Sequence, residues 1–443
     1  MAKPPVAPLS VLPLTNILRS LMTTTVSSSP ILLPPSLTVM SLLAHTNNPL
    51  LNPDRNPLLR YALKKTFYAQ FCAGENATEV KQTVAGLKNI GFSGVILGYA
   101  KEVVMTNKDQ AAASLEPNST PSEEAIIRNE IEPWAKGTIE TVKLASKGDF
   151  VALKFTGAGQ QALSSLMKQL PPSEALGNAI DKICQLASER GVRLLFDAEQ
   201  QAVQAGIDDW TLKYMRKYNR ATSSSGSNSP AAVIYGTYQA YLKATPRILS
   251  SHLATAQKEG FTLGVKLVRG AYLGSDPRHL IHDTKADTDG AYDGVAEGLL
   301  TRQWNAPLKA PEGEDFPSRV DVVLASHNRD SVLKARRILQ QQTAMIATKG
   351  GEAIDVAFAQ LQGMADEVSC ELVVGSEANQ QIMAAGKPNV YKYLVWGSTG
   401  ECMKYLLRRA QENRDAVQRT RSGREAMRAE LARRVKAWFG FST

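Results

Sequence analysis

Two adjacent arginines, Arg408 and Arg409, stand in an otherwise apolar run that holds Met403, Tyr405, Leu406 and Leu407. A guanidinium is a rigid fork of donors matched to a carboxylate or a phosphate. Two of them on one helix, after a strand and a glycine-bearing turn, suit an anion held near a buried site. The competing use is a solvated helix face whose long stems lie on apolar surface. Other chemistry-bearing residues recur at one kind of place, the end of an apolar strand-like run. They are Lys154; Asp197 with Glu199; Tyr238 with Gln239; Lys266, Arg269 and Tyr272; and His327 with Asn328. Tyr393 lies inside the last such run. Taken singly, Asp197 would serve as a helix cap and His327 as a satisfied buried histidine. Their shared placement points to one catalytic face.

The elements that must carry them alternate. Strands are predicted at 94–100, 150–156, 193–199, 232–238, 263–269, 320–326, 354–361 and 389–396. Helical periodicity lies between them, as at 173–190, 247–259 and 330–341. Eight short buried strands alternating with helices define an α/β protein, a (β/α)8 barrel, and such barrels place their chemistry at the C-terminal strand ends. The sequence G-A-G-Q-Q-A at 157–162 matches a dinucleotide fingerprint. The acid expected about 20 residues later is missing, because the next strand ends only at Asp197, so a tight strand-to-helix turn is the better reading.

Residues 1–90 read as an N-terminal extension with a disordered or extended start followed by helices near 56–71 and 77–89; residues 91–443 read as the barrel. Segments 106–122, 222–230 and 306–318 are rich in Pro, Gly, Ser or Asn and read as surface loops. The net charge of +9 is concentrated in an arginine-rich tail interleaved with acids, the pattern of a solvated helix, and no nucleic-acid-binding motif is present. Four widely spaced cysteines without a CxxC argue against a metal site or a disulfide framework. No stretch reaches the roughly 18 apolar residues of a membrane span. The first 50 residues contain no acid, a weak match to a mitochondrial transit region.

In their order along the chain, LKFTG at 153–157, FDAEQ at 196–200, YGTYQAYLK at 235–243, KLVRGAYL at 266–273, ASHN at 325–328, LQGMAD at 361–366 and YKYLVWG…YLLRRAQEN at 391–413 resemble the proline dehydrogenase family, nearest its eukaryotic mitochondrial branch. The resemblance implies a distorted (β/α)8 barrel with its final helix over the barrel mouth. It also implies non-covalent FAD, oxidation of L-proline to 1-pyrroline-5-carboxylate, ubiquinone as electron acceptor, and a place on the matrix side of the mitochondrial inner membrane. Carried over by position, Arg408, Arg409 and Lys154 grip the proline carboxylate, while Asp197, Leu267, Tyr272, Leu361 and Tyr393 wall the ring. The cofactor positions are Gln239, Lys266, Arg269, Gly270, Ala271, Thr284, Lys285, His327, Asn328 and Glu412.

The chain departs from that pattern in two places. Lys266 stands where the family often has arginine, so a point charge replaces a fork. Val395-Trp396-Gly397 replaces the common Pro-Tyr-Gly. Tyr393 bears on specificity, because related hydroxyproline-oxidising enzymes look to have serine there, which leaves room for a 4-hydroxyl. The resemblance leaves a hydroxyproline dehydrogenase of the same family as an alternative, and the residues alone leave open a barrel lyase with Lys154 or Lys266 as Schiff-base nucleophile or a basic protein binding a membrane surface or nucleic acid.

Overall fold

The structure is a computed structural model that describes residues 7–100, 122–220, 232–310, 314–350, 353–375, 388–412 and 417–440. The loops expected at 106–122 and 222–230 lie almost wholly outside the described residues. Nine strands form one sheet in the order β1-β9-β2-β3-β4-β5-β6-β7-β8, and β8 pairs again with β9. The ring β2–β9 is the expected closed parallel barrel. Its strands are β2 (Gly94–Tyr99), β3 (Phe150–Leu153), β4 (Arg193–Phe196), β5 (Ile234–Gln239), β6 (Leu263–Val268), β7 (Val320–Ala325), β8 (Val356–Leu361) and β9 (Asn389–Trp396). A short β1 (Cys72–Gly74), which the sequence pattern did not suggest, adds beside the end of β9. Buried on both faces, these strands carry near-continuous apolar runs, as parallel sheets do.

By internal contacts the chain divides into two compact units, Ile96–Phe358 and Met1–Val95 with Ala359–Thr443. Within Ile96–Phe358 the N-terminal strand ends are closed by buried polar groups. Asn219 is 2% exposed. Its amide nitrogen donates to the Ile234 and Thr262 carbonyls at 2.7 and 2.9 Å, and its oxygen accepts from Val233 and Ile234 N–H at 3.0 and 2.9 Å. One side chain thus satisfies four backbone groups at the start of β5 and β6. Arg193 pairs with Asp355 at 2.8 Å and lies over the Phe150 ring at 3.7 Å.

Two strands stop sooner than the apolar pattern predicts. β3 ends at Leu153 and passes into a 3-10 turn at Phe155–Ala158; β4 ends at Phe196. The glycine motif at 157–162 is a tight turn. Gly159 opens the helix Gln160–Met167 at φ +102°, and the Glu130 carboxylate accepts from Gln160 N–H at 2.9 Å. An acid therefore occupies the place a phosphate would need.

In the other unit, helices fill Leu14–Ser27 and Leu33–His45, where an extended or disordered start was expected. Ser and Thr are tolerated there because their hydroxyls bond back into the helix, Thr23 to the Arg19 carbonyl at 3.0 Å and Thr24 to that of Ser20 at 2.6 Å. The helix Thr399–Glu412, which carries Arg408 and Arg409, begins against two acids from the N-terminal segment. Asp54 accepts from Gly400 N–H at 2.9 Å and Glu75 from Thr399 N–H at 2.9 Å. Carboxylates at a helix N-terminus satisfy orphan donors and complement the dipole. Lys64 closes the network at 2.8 Å from Glu75 and 2.6 Å from Glu79.

Burial alone would raise the Glu75 pKa, but Lys64 and Thr399 together hold it below the usual carboxylate value. Its contribution to stability is therefore present above the unfolded pKa of about 4.3 and is lost as pH falls through the lower folded value. Glu75→Gln is expected to lose about 1–2 kcal/mol at pH 7 by urea denaturation, with the difference from the parent shrinking below about pH 4. A pH-independent difference would contradict this account.

Candidate active site

Within Ile96–Phe358 the C-terminal ends of β3 to β7 bring most of the expected residues together. Lys266 on β6 and Asp197 just past β4 are 7% and 8% exposed. They form an ion pair, Nζ to Oδ1, at 2.6 Å. Asp197 was expected beside the substrate and Lys266 beside a cofactor; the structure couples them. Leu267, the next residue on β6, is fully buried. Asp197 gets its position from its own N–H, which donates to the Leu153 carbonyl at 2.9 Å as β4 ends.

The turn after β6 carries Arg269, Gly270, Ala271 and Tyr272. Arg269 donates Nε to Asp289 at 2.9 Å, one terminal nitrogen to Ser326 at 2.6 Å and the other to Ser331 at 2.8 Å, with its guanidinium 4.4 Å from the Tyr292 ring centre. Gly270 has φ +149°, and a Cβ there would lie 2.3 Å from the Tyr241 ring, so no larger residue fits. Gln239, 3% exposed, accepts from Ala271 N–H and donates to the Glu199 carbonyl, both at 3.3 Å. Tyr272 donates from its hydroxyl to the Ala198 carbonyl at 3.4 Å.

Thr284 and Asn328 are helix caps. Thr284 forms a reciprocal capping box with Asp287 at the start of Lys285–Thr301. Asn328 accepts from Ser331 N–H at 3.1 Å at the start of Arg329–Lys349. Lys285 is exposed and pairs with Asp289 one turn on. His327 is half-buried two residues past the end of β7.

Lys154 follows the last residue of β3, half-buried, its carbonyl accepting from the Trp134 indole at 2.9 Å. Near it is Glu199, 6% exposed and hydrogen-bonded by the N–H and the hydroxyl of Thr156. Burial pushes the Glu199 carboxyl above its ordinary value, with the Lys154 charge opposing.

In the other unit, Arg408 and Arg409 are half-buried, their guanidinium groups 5.8 and 5.4 Å from the centre of the Tyr405 ring. Tyr393 is half-buried on β9, and its carbonyl accepts from Gln362 N–H at 2.8 Å, beside Leu361. Lys392 next to it is 2% exposed and pairs with Asp366 at 2.7 Å. The Glu412 side chain lies outside the described residues.

Sequence reasoning missed the groups that hold the expected ones in place: Asp289, Ser326 and Ser331 around Arg269, and Tyr241 and Asp276 around the Gly270 turn. Ser326 adjoins His327, but an isolated serine carries no signal. Glu199 was noticed as a strand end but given no role. Lys266→Met is expected to cost about 3–5 kcal/mol by urea denaturation, because it leaves the Asp197 carboxylate buried without its cation. A loss under about 1 kcal/mol would show that the pair is effectively solvated.

A parallel α/β barrel whose strand ends gather cations, a buried amide and a tyrosine is the layout of a barrel enzyme. The chain belongs to the proline dehydrogenase family, whose sequence profile, described as Proline dehydrogenase, matches residues 80–422. It is 31% identical over 425 residues to the probable mitochondrial proline dehydrogenase of Schizosaccharomyces pombe, covering 86% of this chain and 81% of that one. It is 28% identical to the mitochondrial proline dehydrogenase 1 of Dictyostelium discoideum, covering 81% of this chain but only 63% of that one. It is also 27% identical to the hydroxyproline dehydrogenase of Bos taurus, covering 84% and 82%. Among solved structures, proline utilization A (PutA) from Bdellovibrio bacteriovorus superposes with a TM-score of 0.61 at 17% identity, over 89% of this chain and 38% of that chain, which shows the shared fold. The mitochondrial localisation expected from the sequence agrees with the names of the first two relatives.

Proposed function

We propose that the protein is an FAD-dependent dehydrogenase that oxidises L-proline to 1-pyrroline-5-carboxylate and passes the electrons to ubiquinone. The observation that carries this reading is the set of polar residues ending β4 to β7, Asp197, Gln239, Lys266, Arg269–Tyr272 and Asn328, in a chain of this family. The donor set fits a flavin dinucleotide. Gly270 lets the Arg269–Ala271 turn pack against the Tyr241 ring, where a Cβ has no room. The helices that open with Lys285 and Arg329 also carry Asp287 and Asp330 in their first turns, and their N-termini with these cations are the places for a diphosphate. Gln239, Lys266, Arg269, Gly270, Ala271, Thr284, Lys285, His327 and Asn328 would hold it, with Glu412 a further position on family resemblance. When bound, FAD supplies the acceptor for the hydride that leaves the proline carbon next to nitrogen.

The chain's own residues bind and orient. Arg408, Arg409 and Lys154 hold the proline carboxylate, and Asp197, Leu267, Tyr272, Leu361 and Tyr393 bound the ring, a positioning effect. Asp197 already accepts from Lys266, which favours an orienting role over that of a proton acceptor. Docking to the matrix face of the inner membrane, where the quinone resides, is supported by exposed apolar side chains. Leu14, Leu18 and Met22 recur every fourth residue on one helix, and Val39 and Leu42 lie on the next. Trp438 and Phe439 end the arginine-rich helix Val417–Trp438. Among the described residues no helix is long and apolar enough to cross a membrane.

The visible flavin band of the purified protein is expected to bleach on anaerobic addition of L-proline. A colourless protein that cannot be reconstituted with FAD would overturn the proposal, and so would a flavin band that proline leaves intact. Arg408→Met is expected to raise KM for proline about ten- to a hundredfold with FAD retained, the loss of one charge-assisted bond. Unchanged affinity would remove Arg408 from the carboxylate grip. The parent is expected to prefer proline over 4-hydroxyproline, and Tyr393→Ser to shift that ratio toward hydroxyproline by about tenfold or more. Equal turnover of the two substrates by the parent would refute the assignment of Tyr393.

A further inference from the structure

Asp276 is 7% exposed on the loop between β6 and the helix Lys285–Thr301, and no role in the reaction explains a buried acid there. Its Oδ1 accepts from Gln201 N–H at 3.0 Å, at the first residue of the helix Gln201–Tyr218. Its Oδ2 accepts from the Tyr241 hydroxyl at 2.5 Å, and its own N–H donates to the Tyr272 carbonyl at 2.8 Å. Tyr241 in turn donates its N–H to the Arg269 carbonyl at 2.7 Å and lays its ring against Gly270. The chain from Arg269 to Asp276 is therefore fastened at both ends by one tyrosine, with Ala271 and Tyr272 between the fastenings. The Gln201 contact ties the same loop to the segment that follows Asp197 and Glu199.

We propose that Asp276 is a positioning residue that fixes Tyr272 and the Gly270–Ala271 turn through Tyr241 and the N-terminus of Gln201–Tyr218. The inference rests on the reading of Tyr272 as a wall of the proline site. Two features favour it over a purely local cap. Asp276 joins the ends of three consecutive strand–helix units, each of which carries a proposed site residue: Asp197, Gln239 and Tyr272. Burial, then the Asp276 carboxylate, push the Tyr241 phenol well above its usual range, so it stays a donor at every working pH.

The test uses the full-length FAD-loaded protein with Asp276→Ala, Asp276→Asn and Tyr241→Phe. The readouts are KM and kcat for L-proline, binding of tetrahydrofuran-2-carboxylate followed by flavin absorbance, and amide hydrogen exchange. Asp276→Ala is expected to raise KM and the analogue Kd about ten- to a hundredfold with bound FAD unchanged, and to speed exchange at 270–276 and at 201–203. Asp276→Asn, whose amide oxygen still accepts one bond, is expected to fall between. Tyr241→Phe, which deletes only the hydroxyl and keeps the ring, is expected to speed exchange at 270–276 alone. Unchanged exchange at 270–276 in both Asp276→Ala and Tyr241→Phe would overturn the proposal, as would a KM change that merely follows FAD loss. If the parent oxidises no proline, the functional reading fails while the exchange comparison still decides the fastening.

Discussion

Lys266 places an ammonium group inside the sheet, where a charge without a partner costs several kcal/mol. Asp197 meets it at 2.6 Å, and much of the site geometry depends on that meeting. For the carboxylate to reach β6, β4 must stop at Phe196 and turn. The turn delivers Ala198 and Glu199, whose carbonyls accept from Tyr272 and Gln239. Gln239 then holds Ala271. A single ion pair thus sets the spacing of three strand ends, and a lysine keeps it a point contact with one carboxylate.

The two ends of the strands are built to different rules. At the N-terminal ends, polar groups are spent on the backbone or on each other, as with Asn219 and with Arg193 and Asp355. At the C-terminal ends, polar side chains fix neighbouring turns and helix starts and still converge on a common face. Asp54 and Glu75 extend the same logic beyond the barrel, because they fasten the first turn of the arginine helix and leave Arg408 and Arg409 two turns further on.

The barrel was legible because buried parallel strands read as short, near-continuous apolar runs between helical segments and the polar residues recur at their ends. Six of the eight predicted strands lie within two residues of where they form, and the other two, β3 and β4, overrun by three. The overrun at Asp197 has a physical cause, since hydrophobicity continues to Phe196 and only the distant Lys266 explains the turn. The site was legible where residue type carried the signal, as in Arg269–Tyr272 and Arg408–Arg409. It was opaque where the task is support, because Ser326, Ser331, Asp289 and Asp276 are ordinary residues whose partners lie tens of positions away. The helices Leu14–Ser27 and Leu33–His45 were hidden by hydroxyl-rich composition, whose weak helix preference is overridden by packing of Ile17 and Ala44.

The contacts that open Thr399–Glu412 join residues more than 320 positions apart. Closing loops of that length is entropically slow. As the chain is made, Asp54 and Glu75 emerge before every strand of the barrel and wait for Thr399 and Gly400, which follow every one of them. The arginine helix thus closes only after the barrel strands are made, and a chain interrupted in the barrel would retain strands without Arg408 and Arg409.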